Sequence, residues 1–308
     1  MNDVQDFYAQ QVRNEIQRIE KPGIYKLSQE VYHADPCIVP SLSRSTIKEL
    51  INRSAAHACF SHPRLNPAYQ PDDGGGKFDV GTASHSLILE GIDNVAVIEA
   101  KDWKTNKAKE DRDLARKEGK VPLLPHQFGE VKKCILRVME QICGCAELGI
   151  KNLMEDGDPE LSFFWKEEET WFRSRLDWIS ADRKLILDLK FTDMSVNPAD
   201  LSRYVLNMGL DIQNVLYCRG IEAVFGIKPK FVFVFAEVNE PYICSFVGLP
   251  PDFLALGQSK IEYSLYLWRE CMKSGNWPAY PNRIAYVDLP GWAMAAWESK
   301  ASEIGEGR

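Results

Sequence analysis

Along residues 184–191 the chain alternates: Leu187 and Leu189 fall on one face of a strand, Asp188 and Lys190 on the other. A second short run, rich in aromatic and β-branched types, covers 171–179, and only the polar Ser180-Ala181-Asp182-Arg183 separates the two. That pattern predicts a β-hairpin. Leu161 to Lys166 reads as a third strand, joined to 171–179 by a Glu-rich stretch, and further strands are expected over 230–238 and 242–249. Residues 205–225 carry apolar positions three to four apart, the helical spacing. Other helices are expected at 78–89, after the Gly74–Gly76 loop, at 125–146 and at 251–274. The charged segment 103–118 reads as a helix with a solvated face. A helix over 43–60 opens at Ser43-Arg44-Ser45-Thr46, with Glu49 in capping-box spacing to Thr46. The first forty residues are polar, with one helix predicted from Val4 to Ile19 ahead of an irregular arm, and Pro63 to Lys77 reads as a loop.

Turn placement converts this pattern into a chemical expectation. A hairpin turn centred between Asp182 and Arg183 puts Asp177 directly opposite Asp188, and a turn between Glu168 and Glu169 brings Glu160 opposite Asp177. Three acids then lie in a row across three strands. Opposed residues have Cβ atoms roughly 4.5–5.5 Å apart, and like charges so placed repel. A cation cancels that cost, and carboxylates hold hard ions such as Mg²⁺ or Mn²⁺. Lys190, aimed at the same space as Asp188, can orient or help deprotonate an attacking water, or stabilise charge developing on a phosphate. This is a residue set for metal-assisted phosphodiester cleavage; the plain alternative is that the three acids are solvated strand-end residues.

Two helical pairs bear on the same chemistry. Gly81 and His85 are four residues apart on one face, where a small residue one turn before the histidine lets backbone or substrate come close. Gln213 and Tyr217 share a face in the same way. Arg173 and Arg175 fall on the strand face of Asp177, where they can pair with carboxylates or meet phosphates. Lys48, Arg53, Lys77 and Arg203 are further candidate phosphate contacts.

Composition narrows the picture. A chain of 308 residues, 45% hydrophobic, can bury a substantial core as one elaborated domain. Its net charge of −7 argues against DNA binding through a basic outer surface, though not against positive charge confined to a cleft or channel. Eight cysteines include no C-x-x-C, and their spacing does not reproduce an iron–sulfur ligand pattern, so free thiols and no cluster are expected. No apolar run suggests a signal peptide or a membrane span.

Gly81-Thr82-Ala83-Ser84-His85, Glu160, Asp177, Asp188-Leu189-Lys190 and Gln213-Asn214-Val215-Leu216-Tyr217 follow one another in an order that resembles the PD-(D/E)xK nucleases. Within that superfamily the chain looks like the RecB-like branch and the phage-type exodeoxyribonuclease VIII (RecE) nuclease, whose opening segment Tyr32-His33 and Leu42-Ser43-Arg44-Ser45 also resemble. The resemblance implies an α/β fold: a restriction-endonuclease-like core, a central mixed sheet flanked by helices, with helical elaborations at both ends. The nuclease domain is expected over 41–275, after an N-terminal arm over 1–40; Trp268, Trp277, Trp292 and Trp297 give the last fifty residues an aromatic bias, so the tail over 276–308 is expected to pack on the core or a neighbouring subunit. The resemblance further implies Mg²⁺, with Mn²⁺ as substitute, held by His85, Asp177, Asp188 and the Leu189 carbonyl. Asp177, Asp188, Lys190, Glu160, Gln213 and Tyr217 would be catalytic, and Arg173, Arg175, Gln213 and Tyr217 would meet DNA. The activity implied is a 5′→3′ exonuclease on linear duplex DNA in a bacterial or phage-infected cytoplasm, generating 3′ overhangs for a single-strand annealing partner. A trimeric or tetrameric ring belongs to the same implication. An endonuclease or helicase-linked nuclease of the same fold, or an idle DNA-binding module, are the alternatives.

Overall fold

This computed structural model describes residues 18–70, 80–91 and 94–306, without the side chains of 303–306. The N-terminal part contains β1 (Gly23–Tyr25), α1 (Gln29–His33), α2 (Arg44–Asn52) and α3 (Ala55–Ser61). Next come α4 (Val80–Glu90), β2 (Val95–Val97), α5 (Asn106–Lys117), β3 (Val121–Leu123) and α6 (Pro125–Gly144). Three long strands form the centre: β4 (Gly157–Glu167), β5 (Thr170–Ser180) and β6 (Leu185–Thr192). After them run α7 (Leu201–Met208), α8 (Leu210–Phe225), β7 (Lys230–Glu237), β8 (Cys244–Val247) and α9 (Pro251–Ser274). All of these lie in one unit that ends at Trp277, while α10 (Gly291–Glu306) belongs to a second, Pro278–Arg308.

The six-stranded sheet has the order β1-β4-β5-β6-β7-β8, and β2 and β3 form a separate parallel pair. Neighbours in the large sheet are antiparallel except β6 and β7, which run parallel. A parallel pair needs a long crossover, and here α7 and α8 supply it. Alternation along β7 shows why the sheet is covered on both faces. Phe231, Phe233 and Phe235 enter one core with α2, α3, α8 and α9, while Val232, Val234 and Ala236 enter another with α4 and α6. Each of these phenylalanines stabilises the fold by about 1.5–3 kcal/mol through burial. The architecture is therefore the expected α/β one, a central mixed sheet flanked by helices.

Two predicted helices are broken, each for a local reason. The 43–60 segment divides at Ser54, whose hydroxyl accepts the His57 N–H and caps α3, just as Ser43 caps α2 through the Thr46 N–H. The 205–225 segment divides at Gly209, whose φ of +65° is a left-handed conformation that closes α7 and redirects the chain into α8. That turn aims the Gln213 face of α8 at the sheet. α9 seats close on α8 because Gly257 has no side chain, and a Cβ there would stand 2.4 Å from the Asp211 carbonyl oxygen. Beside this contact Lys260 pairs with the buried Asp211 at 2.6 Å. Strands β1, β2 and β3 were not legible, since three residues carry too little alternation. The predicted Val4–Ile19 helix falls outside the described residues up to residue 17, and so do residues 71–77 of the Pro63–Lys77 loop.

Candidate active site

The registers bring the three acids level. Between β4 and β5, Pro159 pairs with Trp178 and Leu161 with Leu176, so Glu160 stands level with Asp177. Between β5 and β6, Trp178 pairs with Leu187 and Ile179 with Ile186, and Asp177 and Asp188 are the next position past that short ladder. Both registers are those that the turn placements predict. The row is irregular: Glu160 has a left-handed φ of 55°, uncommon for a residue with a side chain. On β5 the alternation slips at the same level, because Leu176 and Ile179 both enter the α8-side core while Trp178 enters the α6-side core. Such slips re-aim side chains. Here the result is that Asp177 and Glu160 turn toward α4 while Asp188 turns toward α8.

On the α4 side, His85 Nε2 is 3.1 Å from Asp177 Oδ2 and its Nδ1 is 4.0 Å from Glu160 Oε1. The Leu189 N–H donates to the same Asp177 oxygen at 2.8 Å. One ligand atom from each of His85, Glu160 and Asp177 lies within 4.8 Å of the others, a spacing at which one cation can be shared. The carboxylates of Glu160 and Asp177 are only 14% and 15% exposed. Burial opposes a charge on His85, but Asp177 and then Glu160 outweigh it and raise its pKa. Burial likewise pushes Glu160 up, against the pull of Arg175. Asp177 is held below the ordinary carboxylate range: His85 and Lys190 overcome the cost of its burial.

On the α8 side, Asp188 is sealed from solvent, with Gln213 donating to Oδ2 and Lys190 paired with Oδ1. Burial and then the charge of Asp177 raise its pKa, and Lys190 only partly offsets them. Tyr217, one turn after Gln213, is buried at the cleft wall, and burial keeps its hydroxyl protonated. The two carboxylates predicted to face each other thus differ in surroundings, Asp177 opening toward the histidine and Asp188 closed by an amide and an ammonium.

A cleft of about 430 Å³ lies over the Glu160 and Asp177 part of this row, lined by His85, Glu160, Asp177, Leu189, Lys190 and Tyr217 among others. Asp188 and Gln213 are buried outside that lining, so the expectation that Gln213 meets DNA is corrected: its amide is turned onto Asp188. Arg175 also lines it, with Nε 2.5 Å from Glu160 Oε2. Arg173 does not: it is 4% exposed, donates to the Ser41 carbonyl at 2.8 Å and lies 3.2 Å from Asp35. The expectation that Arg173 meets DNA is therefore corrected, because residues 35–41 cover it. Lys48, Arg53 and Arg203 are not among the lining residues, and Lys77 lies outside the described residues. Sequence reasoning missed Gln29 and Glu90, which reach the cleft from α1 and the end of α4. No periodicity marks Gln29; Glu90 could have been sought one turn beyond Ser86, which donates to it at 3.2 Å. Tyr32 and His33, part of the resembling opening segment, line the cleft as well.

Residues 43–290 match the family described as a PDDEXK-like domain of unknown function (DUF3799). The crystal structure of a "Putative exonuclease" from Eubacterium rectale superposes with a TM-score of 0.53 at 14% identity, covering 88% of this chain and 99% of that one. At that identity the likeness shows the fold. A second solved structure, SSO0001, covers 52% of this chain and 67% of its own at 14% identity, with a TM-score of 0.26 that carries no argument. No curated protein matches the chain.

Proposed function

Because the chain belongs to the PDDEXK-like family, whose fold is that of a nuclease, we propose that it is a divalent-metal-dependent exodeoxyribonuclease acting 5′→3′ on linear duplex DNA. The observation that carries the reading is the row of Glu160, Asp177 and Asp188 across three strands, with His85 and Lys190 at its two sides, under a cleft of about 430 Å³. The donor set suits a hard divalent ion: two partly buried carboxylates repel one another unless a cation intervenes, and the imidazole adds a nitrogen ligand. Mg²⁺ or Mn²⁺ held by Asp177, Glu160 and His85, with Asp188 and the Leu189 carbonyl completing the set, would supply Lewis-acid stabilisation of charge on the phosphate.

The remaining chemistry falls to the chain's own groups. Lys190 is paired with Asp188 and 21% exposed, so its ammonium can donate to a water or a phosphate oxygen in the cleft while Asp188 holds it in place. Protonated, it has no lone pair with which to bind a metal. Gln213 fixes the orientation of Asp188 through its amide, and Tyr217 offers a protonated hydroxyl at the wall. Leu189 contributes its N–H to Asp177, which holds that carboxylate toward His85.

We extend the reading to a DNA-processing role in which the product is a 3′ single strand handed to an annealing protein, and to a homo-oligomeric ring. The net charge of −7 supports the ring, since a closed channel lets an acidic protein turn cations inward and keep acidic surface outside. The test is digestion of linear duplex labelled at either 5′ or 3′ terminus, beside a covalently closed circle, with Mg²⁺ and with chelator. Release of the 5′ label from linear DNA alone, dependent on Mg²⁺, is expected. Cutting of the circle would make the protein an endonuclease, and binding without cleavage would make it an idle module.

A further inference from the structure

Arg175 sits beside the acid row yet none of its contacts resembles a waiting phosphate site. Its Nε donates to Glu160 Oε2 at 2.5 Å, its Nη1 donates to the Leu27 carbonyl at 2.6 Å, and its Nη2 stands 3.9 Å from Glu90 Oε1. The side chain is 13% exposed. An incoming phosphate would have to displace a carboxylate in direct contact with the guanidinium and meet a second one nearby. The other Glu160 oxygen, Oε1, is the one that faces His85.

We propose that Arg175 is a positioning residue that aims Glu160 at the cation site formed with His85 and Asp177, and does not itself bind DNA. This rests on the metal site of the reading above. The physical reason is the fork of the guanidinium. Its donors lie in a rigid plane, so one side chain can hold a carboxylate and a backbone carbonyl in fixed relation, which a lysine cannot do. Glu160 needs such a hold because its backbone is left-handed, φ 55°, at a slip in the sheet, where strand geometry does not itself fix the direction of the side chain. Through Leu27, two residues ahead of α1, the same arginine ties down the arm that brings Gln29, Tyr32 and His33 to the cleft. Groups that orient a metal ligand in this way typically change metal affinity or activity roughly 10- to 100-fold when removed.

The experiment measures Mn²⁺ affinity of the metal-free full chain by calorimetry, and affinity for a labelled duplex without divalent ion by fluorescence anisotropy. Arg175→Gln and Arg175→Lys are compared in the wild-type and Glu160→Gln backgrounds, with thermal unfolding to show that each variant is folded. Arg175→Gln should weaken Mn²⁺ binding roughly 10-fold or more, and Arg175→Lys should restore only part of it. In the Glu160→Gln background Arg175→Gln should cost nothing further, and within each background duplex affinity should not fall when Arg175 is replaced. An Arg175→Gln loss of the same size with and without Glu160 would overturn the proposal, as would lower duplex affinity at unchanged Mn²⁺ affinity. If the glutamine variant does not fold, the lysine variant decides by the same criteria. A wild-type chain that binds Mn²⁺ with the expected dependence on Arg175 but cuts no DNA would keep this inference and remove the nuclease reading; a chain that binds no Mn²⁺ removes both.

Discussion

Arg173 and Arg175 are two residues apart on β5, and each lies in a cluster of carboxylate, imidazole and guanidinium, yet the two clusters have opposite character. In the first, Asp35, His62 and Arg173 have side-chain exposures of 0%, 0% and 5%. Asp35 accepts from the Ser41 N–H at 2.8 Å and the Ser41 hydroxyl at 2.7 Å, and meets Arg173 at 3.2 Å and His62 at 3.3 Å. The Arg64 N–H donates to His62 Nδ1, which leaves Nε2 to carry the ring hydrogen toward Asp35 and the Ser41 carbonyl. One carboxylate meets one guanidinium and a neutral ring. In the second cluster Glu160, Asp177 and Asp188 crowd around His85, Lys190 and Arg175 beneath an open cleft. The first is closed and its charges are paired, so it serves to hold residues 35–41 on the sheet; the second is open and rich in mutually repelling acids, the condition under which a ligand gains most.

The sharpest way to break this contrast is to remove one acid of the open cluster. Asp177→Ala or Asp188→Ala should lower DNA cleavage on the order of 10⁴-fold, equivalent to about 5 kcal/mol in the barrier, in a chain that thermal unfolding shows to be still folded. Near-normal Mg²⁺-dependent cleavage in either variant would sink the site assignment. Asp35→Ala in the closed cluster should do the reverse. Stranding the buried Arg173 should cost about 3–5 kcal/mol of stability, read by denaturant unfolding, with cleavage per folded molecule intact. Loss of cleavage without loss of stability would show that the two clusters are not separate in function.

Lys190→Ala tests the division of labour inside the open cluster. Turnover should fall about 10²- to 10³-fold, as for loss of a group stabilising transition-state charge, and Mn²⁺ should still bind in calorimetry. Absent metal binding in a folded variant would mean that the lysine shapes the cation site itself.

The smallest expected effect is on stability against pH, and it belongs to the closed cluster. Burial raises the pKa of Asp35, but Arg173 and the hydrogen bonds from His62 and Ser41 outweigh it and hold the value well below the carboxylate range. Burial lowers that of His62, only partly opposed by Asp35. A depressed Asp contributes stability that is present above its unfolded value of about 4 and is lost as pH falls through the folded value. A histidine kept neutral by burial loses its contribution below about 6.5, where the unfolded chain takes up the proton that the folded one refuses. Both signs agree. The unfolding midpoint should decline from pH 7 to pH 4 and fall faster below that, and the steep part should shrink in Asp35→Asn; identical curves for the variant and the wild type would refute the assignment.

The site was legible in part because its key residues lie on strands joined by short turns. Period two and the turn centres at 168/169 and 182/183 leave one register in which the hydrophobic faces match, and that register puts Glu160, Asp177 and Asp188 in one row. The slip at that row was not legible, because the left-handed Glu160 and the paired change of side on β5 depend on what packs against each face. Nor was the break at Gly209 marked by the apolar spacing, which continues through it; only the isolated glycine hinted at it.

Sequence alone thus determined the strand order of the central hairpins and the row of acids with Lys190 beside it, since these follow from local alternation and turn length, while the class of fold was implied by the resemblance to the PD-(D/E)xK nucleases. Tertiary structure decided which side each acid faces, and which arginine is open to the cleft. Arg173 and Arg175 have the same strand parity, so local geometry treats them alike. What separates them is a packing of distant segments: residues 35–41 enclose Arg173, whereas Arg175 is left at the edge of the cleft between Leu27, Glu90 and Glu160. Contacts between residues so far apart in the chain leave no period for a sequence to display.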